Sequence, residues 1–198
     1  MDSCNSIIKQ GLPKMGCDSR PVKGYERRAV LINREDVDFK NVSMAEDHSN
    51  VIISLGLKAG KTGYEVHQMG SQPYNGSNLA LETNDFYKAV TKTLVIAVLE
   101  NDRDTFGGFV DPLLNGEFVA VVEHKGKGKD NASAFEVLGF HNGLTLTALD
   151  ANVYGDQYGG GLFTLTETSA PVTRMYLGDT YEAGQALFES LLEAAEEQ

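Results

Sequence analysis

The chain has no tryptophan and, in 198 residues, only five prolines and two cysteines. Both cysteines, Cys4 and Cys17, lie near the N-terminus, so no disulfide framework can staple the body. One bridge between them would stabilise by ~3 kcal/mol if oxidised. The start of the chain shows no continuous apolar core after its charges, as an export leader requires, and reduced thiols are the expectation. On the same ground the sequons at Asn41, Asn75 and Asn131 carry no weight. No apolar run approaches the ~20 residues that span a bilayer, so a soluble chain without membrane association is expected. Positive charge is also scarce: 17 Lys and Arg stand against 28 Asp and Glu, a net charge of −11. That balance disfavours sequence-specific nucleic-acid binding, which draws most of its affinity from phosphates.

What the chain does have is glycine, 21 residues of it, set between short β-branched and aromatic runs. This pattern predicts many turns and a β-dominated fold. Strands are expected at 28–33, 51–58, 63–69, 78–83, 92–99, 117–124, 134–140, 144–149, 162–167 and 172–177. Ala59-Gly60-Lys61-Thr62 reads as the turn of a hairpin joining 51–58 to 63–69. The run 92–99 is apolar enough to be buried on both faces. Asn142-Gly143 predicts a second hairpin between 134–140 and 144–149. Between Asn101 and Asn115, Phe106, Phe109, Val110, Leu113 and Leu114 recur at helical spacing, predicting a short helix that Gly107, Gly108 and Pro112 weaken.

The last twenty residues form an acidic amphipathic helix by pattern. Asp179 is its expected cap with Glu182 three residues on, and Leu187, Leu191, Ala194 and Ala195 share a face with Phe188 and Leu192 beside it. Residues 1–40 hold eight Lys/Arg against six acids; residues 179–198 hold six acids and no Lys or Arg. A basic head and an acidic tail would complement each other between identical subunits, or remain solvated at two exposed ends. The chain therefore reads as a 1–22 extended arm, a 23–178 body and a 179–198 helix. The fold class is mainly β, a single β-sandwich or open β-barrel with a short mid-chain helix and a C-terminal amphipathic helix.

Candidate chemistry is thin. Gly56-Leu57-Lys58-Ala59-Gly60-Lys61-Thr62 has one residue too few for a P-loop and precedes a strand where a helix is required. In Asp150–Asp156, Tyr154 takes a ligand position of a calcium loop and Gly161 stands where the bidentate glutamate belongs, so a turn is expected. His48, His67, His124 and His141 fall singly, without metal-ligand spacing. No serine lies in a nucleophile-elbow context, and the adjacent Glu35 and Asp36 point apart on a strand. Lys125, Lys127 and Lys129 read as a flexible, solubilising loop, with a contact to an acidic neighbour as the alternative. No catalytic residue, cofactor or metal ligand is assigned, and the chain is expected not to be an enzyme.

Two stretches carry a family resemblance. Arg27-Arg28-Ala29-Val30-Leu31-Ile32-Asn33-Arg34-Glu35-Asp36-Val37 follows the Gly/Cys-containing arm. Gly139-Phe140-His141-Asn142-Gly143-Leu144-Thr145-Leu146-Thr147 is followed by a Gly-Asp turn and Leu162-Phe163-Thr164-Leu165-Thr166. Together they resemble virion structural proteins of tailed bacteriophages of gut Bacteroidetes, including the crAss-like group. The order of strands, mid-chain helix and hairpin resembles tail-tube-type β-barrels. The terminal helix and Gly159–Gly161 have no counterpart in that pattern.

The resemblance implies a non-enzymatic subunit that forms a ring or tube (tail tube or head–tail neck) by contact with copies of itself and with portal, neck or tail components, in a virion assembled in the host cytoplasm. Subunit contacts are then expected from Cys4, Leu12, Met15, Cys17 and Arg20 of the arm, and from Tyr181, Leu187, Phe188, Leu191 and Leu192 of the helix. Three alternatives stand beside it. One is a capsid-associated protein; another is a monomeric carbohydrate- or ligand-binding β-sandwich with Tyr74, Tyr154 and Tyr158 as a stacking surface; the third is a small hydrolase.

Overall fold

A computed structural model describes residues 8, 10–12, 22–83, 85–156 and 159–194. Among the described residues eleven strands form two open sheets. The strands are β1 (Tyr25–Asn33), β2 (Ser43–Met44), β3 (Val51–Ser54), β4 (Tyr64–His67), β5 (Asn78–Thr83), β6 (Lys88–Val98), β7 (Phe118–His124), β8 (Phe135–Leu138), β9 (Thr145–Asp150), β10 (Gly161–Ala170) and β11 (Met175–Leu177). The larger sheet runs β2-β3-β11-β8-β7-β1-β4 and the smaller β5-β6-β10-β9. Helix α1 (residues 103–113) follows β6, and α2 (Tyr181–Ser190) closes the fold. The expected class holds: mainly β, two open sheets, one mid-chain and one C-terminal helix.

The larger sheet is the middle of three layers. Ala29, Leu31, Phe118, Ala120, Val122 and Leu138 face Leu94, Ile96, Phe163 and Leu165 of the smaller sheet. The alternate residues Val30, Ile32, Val119, Val121, Phe135 and Val137 face Phe188 and Leu191 at the C-terminal helix. Residues 29–32 of β1, 118–122 of β7 and all of β8 are thus buried on both faces, and in β1 and β7 these runs are wholly apolar. Strand β6, expected to be buried on both faces, instead alternates, because one face of its sheet is uncovered.

Neither expected hairpin forms. β3 and β4 sit near opposite ends of the larger sheet, β3 between β2 and β11 and β4 on the outer edge of β1. Residues 55–63 cross between them on the helix side of the sheet, with Leu55 and Leu57 packed into the core there. They are anchored where Lys58 N–H donates to Asp36 O (2.9 Å) and Lys61 Nζ reaches Asp36 Oδ1 (3.0 Å). Burial raises the Asp36 carboxyl, but hydrogen bonds from Asn33 and Lys61 outweigh it and hold its pKa below the ordinary value. Asp36 therefore does not sit on a strand with Glu35; both lie in a tight helical turn at Arg34–Asp36.

The crossing ends by satisfying the C-terminal carbonyls that every helix leaves open. Gly63 N–H donates to Leu191 O (2.7 Å) and Thr62 Oγ1 to Leu192 O (3.0 Å). A Cβ at Gly63 would lie 2.5 Å from Val30 Cγ1, so only glycine lets the segment lie this close to the sheet. The stretch that looks like a shortened P-loop is the C-terminal anchor of α2.

The Asn142-Gly143 turn is real, with Gly143 N–H donating to Gly139 O (3.0 Å) and both glycines at positive φ. The strands it joins belong to different sheets, β8 to the larger and β9 to the smaller. The cause lies 24 residues downstream. Glu167, wholly buried on β10, accepts from the backbone N–H groups of Gly139 and His141 (3.0 Å each) and Asn142 (3.1 Å). The turn wraps a carboxylate and becomes a corner between layers.

Two further details differ from expectation. Thr180, not Asp179, caps α2, its hydroxyl accepting from Ala183 N–H. Helix α1 opens a wider i→i+5 turn over Phe106–Val110, with Asp111 N–H donating to Phe106 O. That widening accommodates Pro112, which has no N–H to offer the preceding turn.

Candidate subunit-contact site

The expected contact residues divide sharply. Cys4, Met15, Cys17 and Arg20 lie outside the described residues. Leu12 is 99% exposed, and so to 91% is Ile8, an apolar neighbour in the same arm. On the helix, Phe188 and Leu191 are 3% and 1% exposed and belong to the chain's own core, so neither offers a side chain to a neighbouring subunit. Leu187 and Leu192 are half-buried against that core. Tyr181 stacks on Phe135 at 5.7 Å between ring centroids, and its hydroxyl donates to Glu123 Oε1 (3.3 Å).

Part of the basic-head, acidic-tail complementarity is met within one chain. Arg28 donates to both carboxylate oxygens of Glu189 (2.8 and 3.1 Å) and through Nε to Glu65 (2.8 Å), with its guanidinium over the Phe188 ring. The hydrogen bond to Arg28 holds the Glu189 carboxyl below the usual carboxylate range. The cationic loop is similarly tied. Lys127 pairs with Glu123 (2.7 Å) and lies over the Tyr181 ring, and Lys125 donates to Ser71 O (3.1 Å), leaving Lys129 at the exposed tip.

Inside the sandwich the fold assembles charges that residue type alone did not flag. Lys92 stands directly opposite Glu167 in the β6–β10 register, both wholly buried. Its Nζ lies 3.3 Å from Oε2, near enough for the charges to pair but off the line of a directed hydrogen bond. Removing either partner would strand a buried charge.

A second centre surrounds Glu136, also wholly buried. His124 Nε2 lies 2.6 Å from Oε2, the Tyr25 hydroxyl donates to it at 3.1 Å, and Arg174 lies 3.5 Å away. Burial first, and then the Glu136 charge, push the Tyr25 phenol far up, so it remains a protonated donor. The arrangement ties β1, β7, β8 and the segment before β11 around one carboxylate. Among the described residues no group of three or more His, Cys, Asp and Glu is placed to hold a metal ion.

The stacking surface weighed from sequence does not assemble. Tyr74 is 3% exposed and at φ 57°, a costly conformation for an aromatic residue. Its hydroxyl holds it there by donating to Val66 O (3.0 Å) and Arg27 O (3.1 Å). Tyr154 is exposed in a turn where Asn152 Oδ1 accepts its N–H, and Tyr158 lies outside the described residues.

One groove combines apolar lining with open backbone. It lies between the free edge of β4 and the part of β6 that β5 does not reach, encloses about 500 Å³, and has Ile96, Val98 and Phe109 in its lining. β5 pairs with β6 only as far as Thr93. Beyond it, Ser77 Oγ accepts from Val95 N–H (3.0 Å), and the Gln68 amide both donates to Ala97 O (3.0 Å) and accepts from Ala97 N–H (2.9 Å), as a neighbouring strand would. Gln68 N–H donates to Arg27 O across the β1 side, so by the alternation of antiparallel pairing Glu65 and His67 turn their backbone groups toward the groove. Met69 and Leu99 stand at its rim, 74% and 37% exposed.

Among the described residues no helix is long and apolar enough to cross a membrane. No protein-family model, curated protein or solved structure matches this chain.

Proposed function

We propose that this chain is a non-enzymatic structural subunit of a tailed-phage virion that associates with copies of itself into a ring or tube, as tail tube or head–tail neck, with its arm on a neighbouring subunit. The observation that carries this reading is the exposure of Ile8 and Leu12, 91% and 99%, beside a body whose two cores close without them. Apolar side chains held in water at the end of an arm favour a partner that buries them. The half-covered smaller sheet adds further exposed apolar groups, Leu81 on β5 and Val153 and Tyr154 in the turn after β9. A net charge of −11 suits a lumen through which DNA passes without sticking. The burial of Tyr74 weighs against the ligand-binding alternative.

Light scattering on a size-exclusion column, with negative-stain images of the same fractions, tests the reading. Closed rings or tubes of many 21.5 kDa chains are expected. A single-chain mass persisting at high concentration would count against it.

A further inference from the structure

We propose that the groove between β4 and β6 is the receptor for the arm of a second copy, whose residues 6–12 (Ser-Ile-Ile-Lys-Gln-Gly-Leu) lie along β4 as an added strand. This rests on the homo-oligomeric reading above and names the surface that accepts the arm. Backbone and side-chain features of the groove both suit an extended segment. On one wall Glu65 and His67 turn main-chain groups outward that no strand among the described residues pairs, and the Gln68 amide already mimics a strand against Ala97.

In an extended arm Ile8, Gln10 and Leu12 fall on one face. Ile8 and Leu12 are then about 13 Å apart at roughly 3.3 Å per residue, which matches the four-residue length of β4. That face meets the apolar lining of Ile96, Val98 and Phe109. The charges agree as well: residues 1–21 carry Lys9, Lys14 and Arg20 against Asp2 and Asp18, while Glu65 and Glu100 line the groove.

The occupant comes from a neighbour, because in the single chain Ile8 and Leu12 stand almost wholly exposed, not in the groove. Residues 13–21 span up to about 30 Å when extended, enough to bridge from Val22 of one body to the next. An arm in the next subunit's groove is a head-to-tail contact, which closes into rings when the rotation per subunit allows it.

Two full-length double variants test this: Ile8→Asp with Leu12→Asp, which disables the arm, and Met69→Arg with Leu99→Arg, which fills the rim of the groove. All four positions carry exposed side chains, and circular-dichroism spectra matching the wild type's will verify folding. By light scattering the wild-type chain is expected to assemble, and each variant alone to run at single-chain mass. Mixed, they should form one species at twice that mass, one sound arm in one sound groove. A synthetic peptide of residues 1–21 in large excess should disperse the wild-type assembly. If the wild type assembles and the groove variant assembles equally well, or the peptide leaves the assembly intact, arm-in-groove docking is overturned while the homo-oligomer stands. A wild-type chain that stays at single-chain mass overturns both.

Discussion

At the C-terminal end, Phe188 and Leu191 are 3% and 1% exposed, and the helix that carries them forms a layer of the fold; at the N-terminal end, Ile8 and Leu12 are 91% and 99% exposed. The two ends share apolar residues spaced to suit one face, but their surroundings differ. The C-terminal helix has a sheet face to cover, a threonine cap at its start, a glycine crossing that bonds its last carbonyls, and Arg28 to pair with Glu189. The described arm residues have no such set of partners. One end therefore carries stability and the other is free to carry association.

The largest expected effect breaks the helix side of this contrast. Phe188→Ala removes a ring packed at 5.4 Å from Phe135 and should cost about 3–5 kcal/mol in denaturant unfolding. Gly184→Ala comes next. Its Cβ would lie 2.6 Å from Leu177 O and 2.7 Å from the Phe135 ring, lifting the helix at a cost of about 1–3 kcal/mol. Thr180→Ala removes the cap and should cost about 1 kcal/mol, read in the same melts.

Glu189→Gln is the smallest change. Both partners of its ion pair are more than a third exposed, so solvent screening keeps the loss within about 1 kcal/mol. Its sign with pH is fixed. Because Arg28 depresses the folded Glu189 pKa, the contribution is present above the unfolded carboxylate pKa and is lost as pH falls through the lower folded value. Wild type and Glu189→Gln should therefore converge in stability in that acid range, and a gap that widens on acidification would refute the assignment. None of these substitutions should abolish assembly of the chains that remain folded. Ile8→Asp with Leu12→Asp should do the reverse, leaving the single chain folded and removing assembly.

Local pattern made every strand but the two-residue β2, the mid-chain helix and the terminal helix legible, because period-2 and helical spacing are properties of neighbouring residues. Pairing was not legible. The glycine turns at 59–62 and 142–143 are sound turns, but turn chemistry does not say which sheet the outgoing strand joins. Asp36 and Leu191 decide the first, and Glu167 the second, each remote in sequence. Lys92, Glu136 and Glu167 look like surface residues by type, and their burial follows only from register and layering. For the contact site, the apolar face of the terminal helix was visible, but whether it faces a neighbour or its own sheet depends on the third layer. The groove was invisible for the same reason: it exists only where β5 ends short of β6 and β4 forms an edge.

Hydrogen exchange followed by mass spectrometry, on the wild-type assembly and on the Ile8→Asp, Leu12→Asp chain, addresses the contrast between the two ends directly. The account predicts that residues 181–191 are protected in both samples, while residues 6–12 and the amides of Glu65 and His67 gain protection only in the assembly. Residues 181–191 exchanging freely in the unassembled chain, and becoming protected on association, would contradict it.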